Sequence, residues 1–370
     1  MPTAPRHPTL AIVGATGAVG REFLAILEQR RFPHGPMRLL ASARSAGTVV
    51  RYRGEPHTVQ TLTDRSFDGI DLALFSAGGS VSKQYGPVAA EAGAVVIDNS
   101  SAFRMQAGVP LVVPEVNPGA LGERGGRGPD SGVRGQAAAA TAGRIIANPN
   151  CSTIIMLMAV TPLRKAFGVE RIVVSTYQAV SGAGAAAMDE LSQQTRDVLD
   201  GREPAPCIFP EPCAFNLFSH NSAMDVATGR NLEEEKMGAE TRKIWGEPER
   251  GGVRISATCI RVPTMRAHAE SINLTLSRPA SEDDVRAALA AAPGVRVVDD
   301  RANNRFPTPL KASGGDEVLV GRIRPDPSQE EILDGSRRLH RGYDIFVCGD
   351  QLRKGAALNA VQIAELVFGM

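Results

Sequence analysis

Cys151 stands in the run Asn148-Pro149-Asn150-Cys151-Ser152-Thr153, directly ahead of the apolar stretch Ile154-Ile155-Met156-Leu157-Met158. The fixed φ of Pro149 shapes a tight approach and Asn150 can cap free amides. The apolar pattern running on through Val160 then predicts a helix that begins at the thiol. A helix N-terminus carries partial positive charge, which favours thiolate over thiol and lowers the cysteine pKa. Such a sulfur is a candidate nucleophile. An inert buried cysteine stays open on this run alone, although an inert thiol has no use for this turn, and the rest of the chain has to decide.

A second constellation lies near the N-terminus. Thr9 to Val13 is an apolar strand candidate, followed by Gly14-Ala15-Thr16-Gly17-Ala18-Val19-Gly20 and a helical pattern with Val19, Phe23, Ile26 and Leu27 on one face. Glycines at 14, 17 and 20 permit a tight turn, close approach of a pyrophosphate to helix N-terminal amides, and close helix–strand packing. The spacing Gly-x-x-Gly-x-x-Gly is weak as a bare pattern and gains force from its strand–turn–helix setting. The next strand candidate, Met37 to Ala43, runs into Ser42-Ala43-Arg44-Ser45, and no Asp or Glu lies between Glu28 and Glu55. A site for NAD would want an acid there for the ribose 2′-hydroxyl. Arg44 between Ser42 and Ser45 suits a 2′-phosphate, so the expected cofactor is NADP.

The second half of the chain offers further polar candidates. Gln178 ends a strand pattern before Ser181-Gly182-Ala183-Gly184, where a ligand can approach the backbone. Arg261 and His268 bracket Val262 to Ala267, so a turn can bring both to one rim; a satisfied surface histidine is the plainer reading. Glu233 and Lys236, at i and i+3 of a helical run, also read as one ion pair on a solvated face.

The elements that position these residues follow from length and periodicity. A chain of 370 residues, 43% hydrophobic and 22% charged, can bury two cores. Strand candidates at Asp71 to Ser76 and Ala94 to Ile97 extend a doubly wound parallel sheet, giving a dinucleotide-binding domain over 1–150. Alternating segments at Arg171 to Val180, Val253 to Val262 and His268 to Leu274, with helices at Ala185 to Leu199 and Glu282 to Ala291, predict an α+β domain over 151–349 with a mixed sheet. The last helix candidate, Leu352 to Phe368, follows a strand at Asp344 to Val347. The segment 350–370 is expected to return to the first domain. Ala120 to Gly143 is rich in Gly, Arg and Ala without apolar period and reads as a surface insertion. A net charge of +1 leaves no footprint for nucleic acid or anionic membrane. No apolar run is long enough to span a bilayer, and Met1 to Pro8 has no signal-like core. Five cysteines without paired metal spacings point to a reducing, cytoplasmic setting and no metal.

These motifs, together with Ser101-Ala102-Phe103-Arg104-Met105 and Gly349-Asp350-Gln351-Leu352-Arg353-Lys354-Gly355, occur in the order found in aspartate-semialdehyde dehydrogenases, and nearly the whole chain resembles that family. The resemblance implies a Rossmann-type NADP-binding domain with an α+β catalytic and dimerisation domain. It also implies NADPH-dependent reductive dephosphorylation of L-4-aspartyl phosphate to L-aspartate 4-semialdehyde, on the route to lysine, threonine, methionine and isoleucine. Under it Cys151 forms a thioester, Asn150 helps hold the oxyanion, His268 is the acid–base partner and Gln178 orients the intermediate. Arg104 and Lys236 hold phosphate, Arg261 pairs with the α-carboxylate, Glu233 meets the amino group, and Ser181 and Gly182 line the substrate site. The cofactor contacts fall on Gly14, Thr16, Gly17, Ala18, Val19, Gly20, Ser42, Arg44, Ser45, Ser76, Gly78 and Gln351, and the assembly is a homodimer. The departure is 120–143, longer than is usual in the family. Two rivals differ in particulars. A reductase of N-acetylglutamyl phosphate usually resembles Pro-Gly-Cys-Tyr-Pro-Thr around the cysteine and would leave Glu233 unpartnered, and a silent nucleotide-binding paralogue would have lost Cys151 or His268.

Overall fold

The computed structural model describes residues 7–122, 143–248 and 251–370, so almost all of the 120–143 segment lies outside the described residues. The chain divides into two compact units, 1–150 with 356–370, and 151–355.

In the first unit six strands form one parallel sheet. They are β1 (Leu10–Val13), β2 (Met37–Ala41), β3 (Gln60–Thr61), β4 (Leu72–Phe75), β5 (Val95–Asp98) and β6 (Arg144–Ala147). Their order is 3-2-1-4-5-6, with every pairing parallel. Strands of a parallel sheet are buried on both faces, which is why β1, β4 and β5 read as continuous apolar runs. One face packs Leu10, Ile12, Leu39 and Leu74 against Phe23 and Leu27 of α1 (Ala18–Gln29) and against Leu358, Val361 and Ile363 of the C-terminal helix. The other packs Ala11, Val13 and Phe75 with partly buried Val81 and Val88 of α2 (Gly79–Glu91). The chain order reverses between β1 and β4, and in such sheets ligands bind beyond the strand ends at that switch point.

The second unit opens with α3 (Cys151–Phe167) and centres on eight strands. These are β7 (Val169–Gln178), β8 (Phe218–Ser219), β9 (Arg254–Arg261), β10 (His268–Ala280), β11 (Val295–Val297), β12 (Val318–Pro325), β13 (Glu331–Asp334) and β14 (Arg337–Gly349). The order is 8-9-7-10-14-12-11, with β13 beside β14. Pairings β7–β9 and β11–β12 are parallel and the rest antiparallel, so the sheet is mixed. The remaining long helices are α4 (Ala185–Leu199), α5 (Leu232–Trp245) and α6 (Glu282–Ala290). Alternation along β7 and β10 buries Ile172, Val174, Ile272 and Leu274 on one face and leaves Tyr177 and Ser271 exposed on the other.

The C-terminal segment differs from the single helix expected over 352–368. Residues Arg353–Ala357 form a π-type turn before α7 (Leu358–Phe368). Asp350 sets that turn, because its carboxylate accepts from the amides of Leu352 and Arg353 and from the Arg266 guanidinium. Its backbone carbonyl also accepts from the Gly355 amide. Asp350 to Gly355 therefore belong to the second unit, whose limit is 355 rather than 349. Among the described residues no helix is long and apolar enough to cross a membrane.

Candidate active site

Cys151 is the first residue of α3. Three neighbouring strand ends bring the other polar groups together: Gln178 ends β7, Arg261 ends β9 directly beside it, and His268 begins β10. The rim expected for Arg261 and His268 is instead an interior, since Arg261 is 2% and His268 0% exposed. Cys151 Sγ lies 3.4 Å from His268 Nε2. The Ala179 amide donates to Nδ1 at 3.0 Å, so the neutral ring carries its proton on Nε2, directed at sulfur. Burial first, and the nearby Arg261 cation second, pull the His268 pKa down to about 3.

Arg261 is a buried cation with no carboxylate in hydrogen-bond contact among the described residues. Its Nη1 donates to the Ala179 carbonyl at 2.7 Å, and Nη2 donates to His220 Nε2 at 2.8 Å and Asn221 Oδ1 at 3.2 Å. Burial lowers its pKa, while Cys151 and Glu233 oppose that shift, so anionic sulfur and this guanidinium stabilise one another. Gly182 lies against both groups. A Cβ there would stand 3.2 Å from His268 Cε1 and 3.4 Å from Arg261 Nη1.

Glu233 and Lys236 are not a solvated face. Asn231 caps α5 by accepting from the amides of Glu233 and Glu234, and this cap turns Glu233 inward to 4% exposure. Its carboxylate accepts from Lys236 Nζ at 3.0 Å and from Gln178 Nε2 at 3.5 Å. Ser181 is buried and accepts from the amide nitrogen of Gln351, whose oxygen accepts from the Ala267 amide at 2.8 Å. Gln351, expected at the cofactor, thus has both ends of its amide engaged inside the second unit.

In the first unit Gly14 and Ser76 terminate β1 and β4 at the switch point, with Ser76 donating its amide to the Val13 carbonyl at 2.8 Å. Gly14 has φ +88°, and a Cβ there would sit 2.2 Å from the Ser76 carbonyl oxygen; one on Gly20 would sit 2.2 Å from the Gly14 oxygen. Gly17 caps α1 and Gly78 caps α2, neither with a side-chain hydrogen bond nor an acid in the first turn. Thr16, Ala18 and Val19 line this turn. The cradle of bare helix-terminal amides fits a dinucleotide pyrophosphate. Ser42, Arg44 and Ser45 follow β2 on a short 3₁₀ turn, with Arg44 exposed. Arg104 is buried, with Nε donating to the Asn148 carbonyl and Nη2 to the Asn99 carbonyl, both at 2.9 Å, and Asn150 is buried as well.

Residues 9–124 match the family model for the semialdehyde dehydrogenase NAD binding domain, and 160–354 the model for its dimerisation domain. Aspartate-semialdehyde dehydrogenases of Synechocystis sp. and Aquifex aeolicus are 49% and 47% identical to the chain, each alignment covering 97% of it and 96% and 97% of the respective relatives. The chain belongs to the aspartate-semialdehyde dehydrogenase family. Among solved members, aspartate semialdehyde dehydrogenase II of Vibrio cholerae, complexed with ASA, superposes with TM-score 0.86 at 42% identity, covering 98% of both chains. The Candida albicans enzyme with NADP gives 0.71 at 25% identity, covering 97% and 98%. The chain is accordingly an NADP-dependent oxidoreductase of amino-acid biosynthesis. Its reaction is that of the family, the reductive dephosphorylation of L-4-aspartyl phosphate to L-aspartate 4-semialdehyde.

Sequence reasoning had no signal for His220 and Asn221. They reach Arg261 only because β8 pairs Phe218 with Arg261, a long-range register with no local pattern.

Proposed function

We propose that Cys151 carries the acyl group as a thioester and that the contact of Sγ with His268 Nε2 is the observation on which this rests. Sulfur attacks the acyl phosphate carbonyl, the C–S bond forms and the C–O bond to phosphate breaks, with backbone amides and the Asn150 side chain receiving the oxyanion. Bound NADPH supplies the hydride that reduces the acyl carbon. Release of the aldehyde returns the C–S electron pair to Cys151 as thiolate, steadied by the Nε2–H donor and the charge of Arg261. His268 in this tautomer is a donor to sulfur and not the base that takes the thiol proton, which refines the acid–base role implied by resemblance. Gln178 orients the intermediate, Arg261 seats the α-carboxylate through its planar fork, Glu233 receives the amino group, and Arg104 and Lys236 bind phosphate. Arg44 selects NADP through the 2′-phosphate. The partly exposed face of the eight-stranded sheet, carrying exposed Tyr177 and Ser271 and the half-buried Phe346 ring 6.4 Å from Tyr177, supports a homodimer, and five free thiols support a cytoplasmic setting.

Cys151→Ala is the deciding variant. Turnover should fall by about a thousandfold or more while NADP binding persists, because the glycine turn is in other residues. Substantial residual turnover would remove Cys151 from the role. A thiol reagent should also label Cys151 ahead of Cys213, Cys259 and Cys348, whose thiols burial pushes up to about 11, 12 and 12.

A further inference from the structure

The short turn Ser219 to Ser222 touches the guanidinium of Arg261 and the backbone of Glu233, the two residues assigned to the amino-acid end of the substrate. Its own position is set by β9, because the His220 amide donates to the Cys259 carbonyl at 2.9 Å. From there His220 Nε2 and Asn221 Oδ1 take the two contacts of Arg261 Nη2. One residue later the Ser222 hydroxyl accepts from the Glu233 amide at 3.2 Å, at the head of α5. A guanidinium has no lone pair, so the facing histidine nitrogen must be the acceptor. With Nε2 accepting, the neutral ring carries its one proton on Nδ1, which faces the Ser222 amide at 3.2 Å, and a second proton has no favourable seat on Nε2 against the guanidinium. Burial takes the His220 pKa down to about 4, with Glu233 opposing the shift and Arg261 and Lys236 adding to it.

We propose that this turn is the specificity element of the substrate site: His220 and Asn221 aim the Arg261 fork while Ser222 anchors the helix end that carries Glu233. One tripeptide thereby sets the spacing between the cation for a carboxylate and the anion for an amine. An α-amino acid aldehyde, carrying both charges on one carbon, is the ligand class that such fixed spacing selects. His220 and Asn221 are positioning residues; they act through Arg261. The inference rests on Arg261 and Glu233 having the roles given above.

The test is steady-state kinetics with aspartate semialdehyde, phosphate and NADP. His220→Leu removes the acceptor and should raise the KM for the semialdehyde about tenfold or more, the size of one hydrogen bond to a charged group. The KM for phosphate should stay within about twofold and kcat should change less than the semialdehyde KM. His220→Gln, which returns an acceptor oxygen near the position of Nε2, should recover most of the loss. Equal losses in kcat and both KM values, or no recovery with glutamine, would overturn the proposal in favour of a merely structural turn. Should His220→Leu fail to fold, Asn221→Ala decides, with a several-fold rise in the semialdehyde KM expected and an unchanged value fatal. Arg261→Lys separates the two levels. If it raises the semialdehyde KM while His220→Leu does not, the turn loses its role and the carboxylate seat stands. If neither moves it, the seat itself is wrong.

Discussion

In the first unit the surface offered to an anion is backbone: Gly14, Gly17 and Gly20 clear space, and the amides at the head of α1 have no side-chain cap. In the second unit it is side chain: Cys151, His268, Arg261 and Glu233 come from four separate elements and reach one place through strand register. The first design is a short glycine-rich run laid against one neighbouring strand end, and it fails when a methyl group is added. The second needs buried charges held by long-range hydrogen bonds and fails when a distant partner is lost.

The sharpest way to break the backbone design is Gly14→Ala. The residue sits at φ +88° and its new Cβ would be 2.2 Å from the Ser76 carbonyl, so the switch point must open. We expect a loss of about 3 kcal/mol or more of stability together with loss of NADP binding, read by thermal melts with and without cofactor. A near-wild-type melt would show that the cradle is looser than its geometry.

Arg44→Ala probes the one side chain on which cofactor choice is expected to depend in the first unit. NADP affinity should fall by about 1.5–3 kcal/mol and NAD affinity much less, as isothermal titration would record. Equal losses would leave cofactor choice to the backbone alone.

The smallest effect concerns Glu270, on the same face of β10 as His268, fully buried and, among the described residues, with neither carboxyl oxygen in a hydrogen bond. Burial raises its pKa well above 4.5, so the folded protein keeps the proton that the unfolded chain gives up near pH 4.5. Stability is therefore lost as pH rises from 4.5 toward the folded pKa. Glu270→Gln should stabilise the protein at neutral pH by roughly 1–3 kcal/mol, a gain that shrinks toward pH 4.5. His268 and His220 work in the opposite direction, because an unfolded histidine binds its proton near 6.5 and these two bind theirs near 3 and 4. Melting temperature should thus fall as pH drops below 6.5, less steeply in His220→Gln. A melting curve flat between pH 4.5 and 6.5 in both proteins would count against these buried histidines.

Much of this molecule is legible in its sequence wherever the chemistry is local. The glycine spacing after an apolar strand, the thiol ahead of an apolar helix and the arginine between serines each depend on neighbours within a few residues. Helix α4 appears over the span its periodicity predicts, 185–199, for the same reason. Burial is not local. Glu233 with Lys236 reads equally well as a surface pair, and only the Asn231 cap and the packing of α5 turn the carboxylate inward. His268 reads as a surface histidine until the register of β10 beside β7 places Ala179 N–H on one ring nitrogen and sulfur on the other. His220 carries no signal at all before β8 pairs with β9, and the break in the last helix comes from the bonds of Asp350, not from propensity. Residue types and short spacings determine which reactions are chemically open to this chain. The tertiary structure decides which of those groups are desolvated, which tautomer a ring adopts and which charge faces which, because those depend on the low dielectric and fixed partners that only a packed interior supplies.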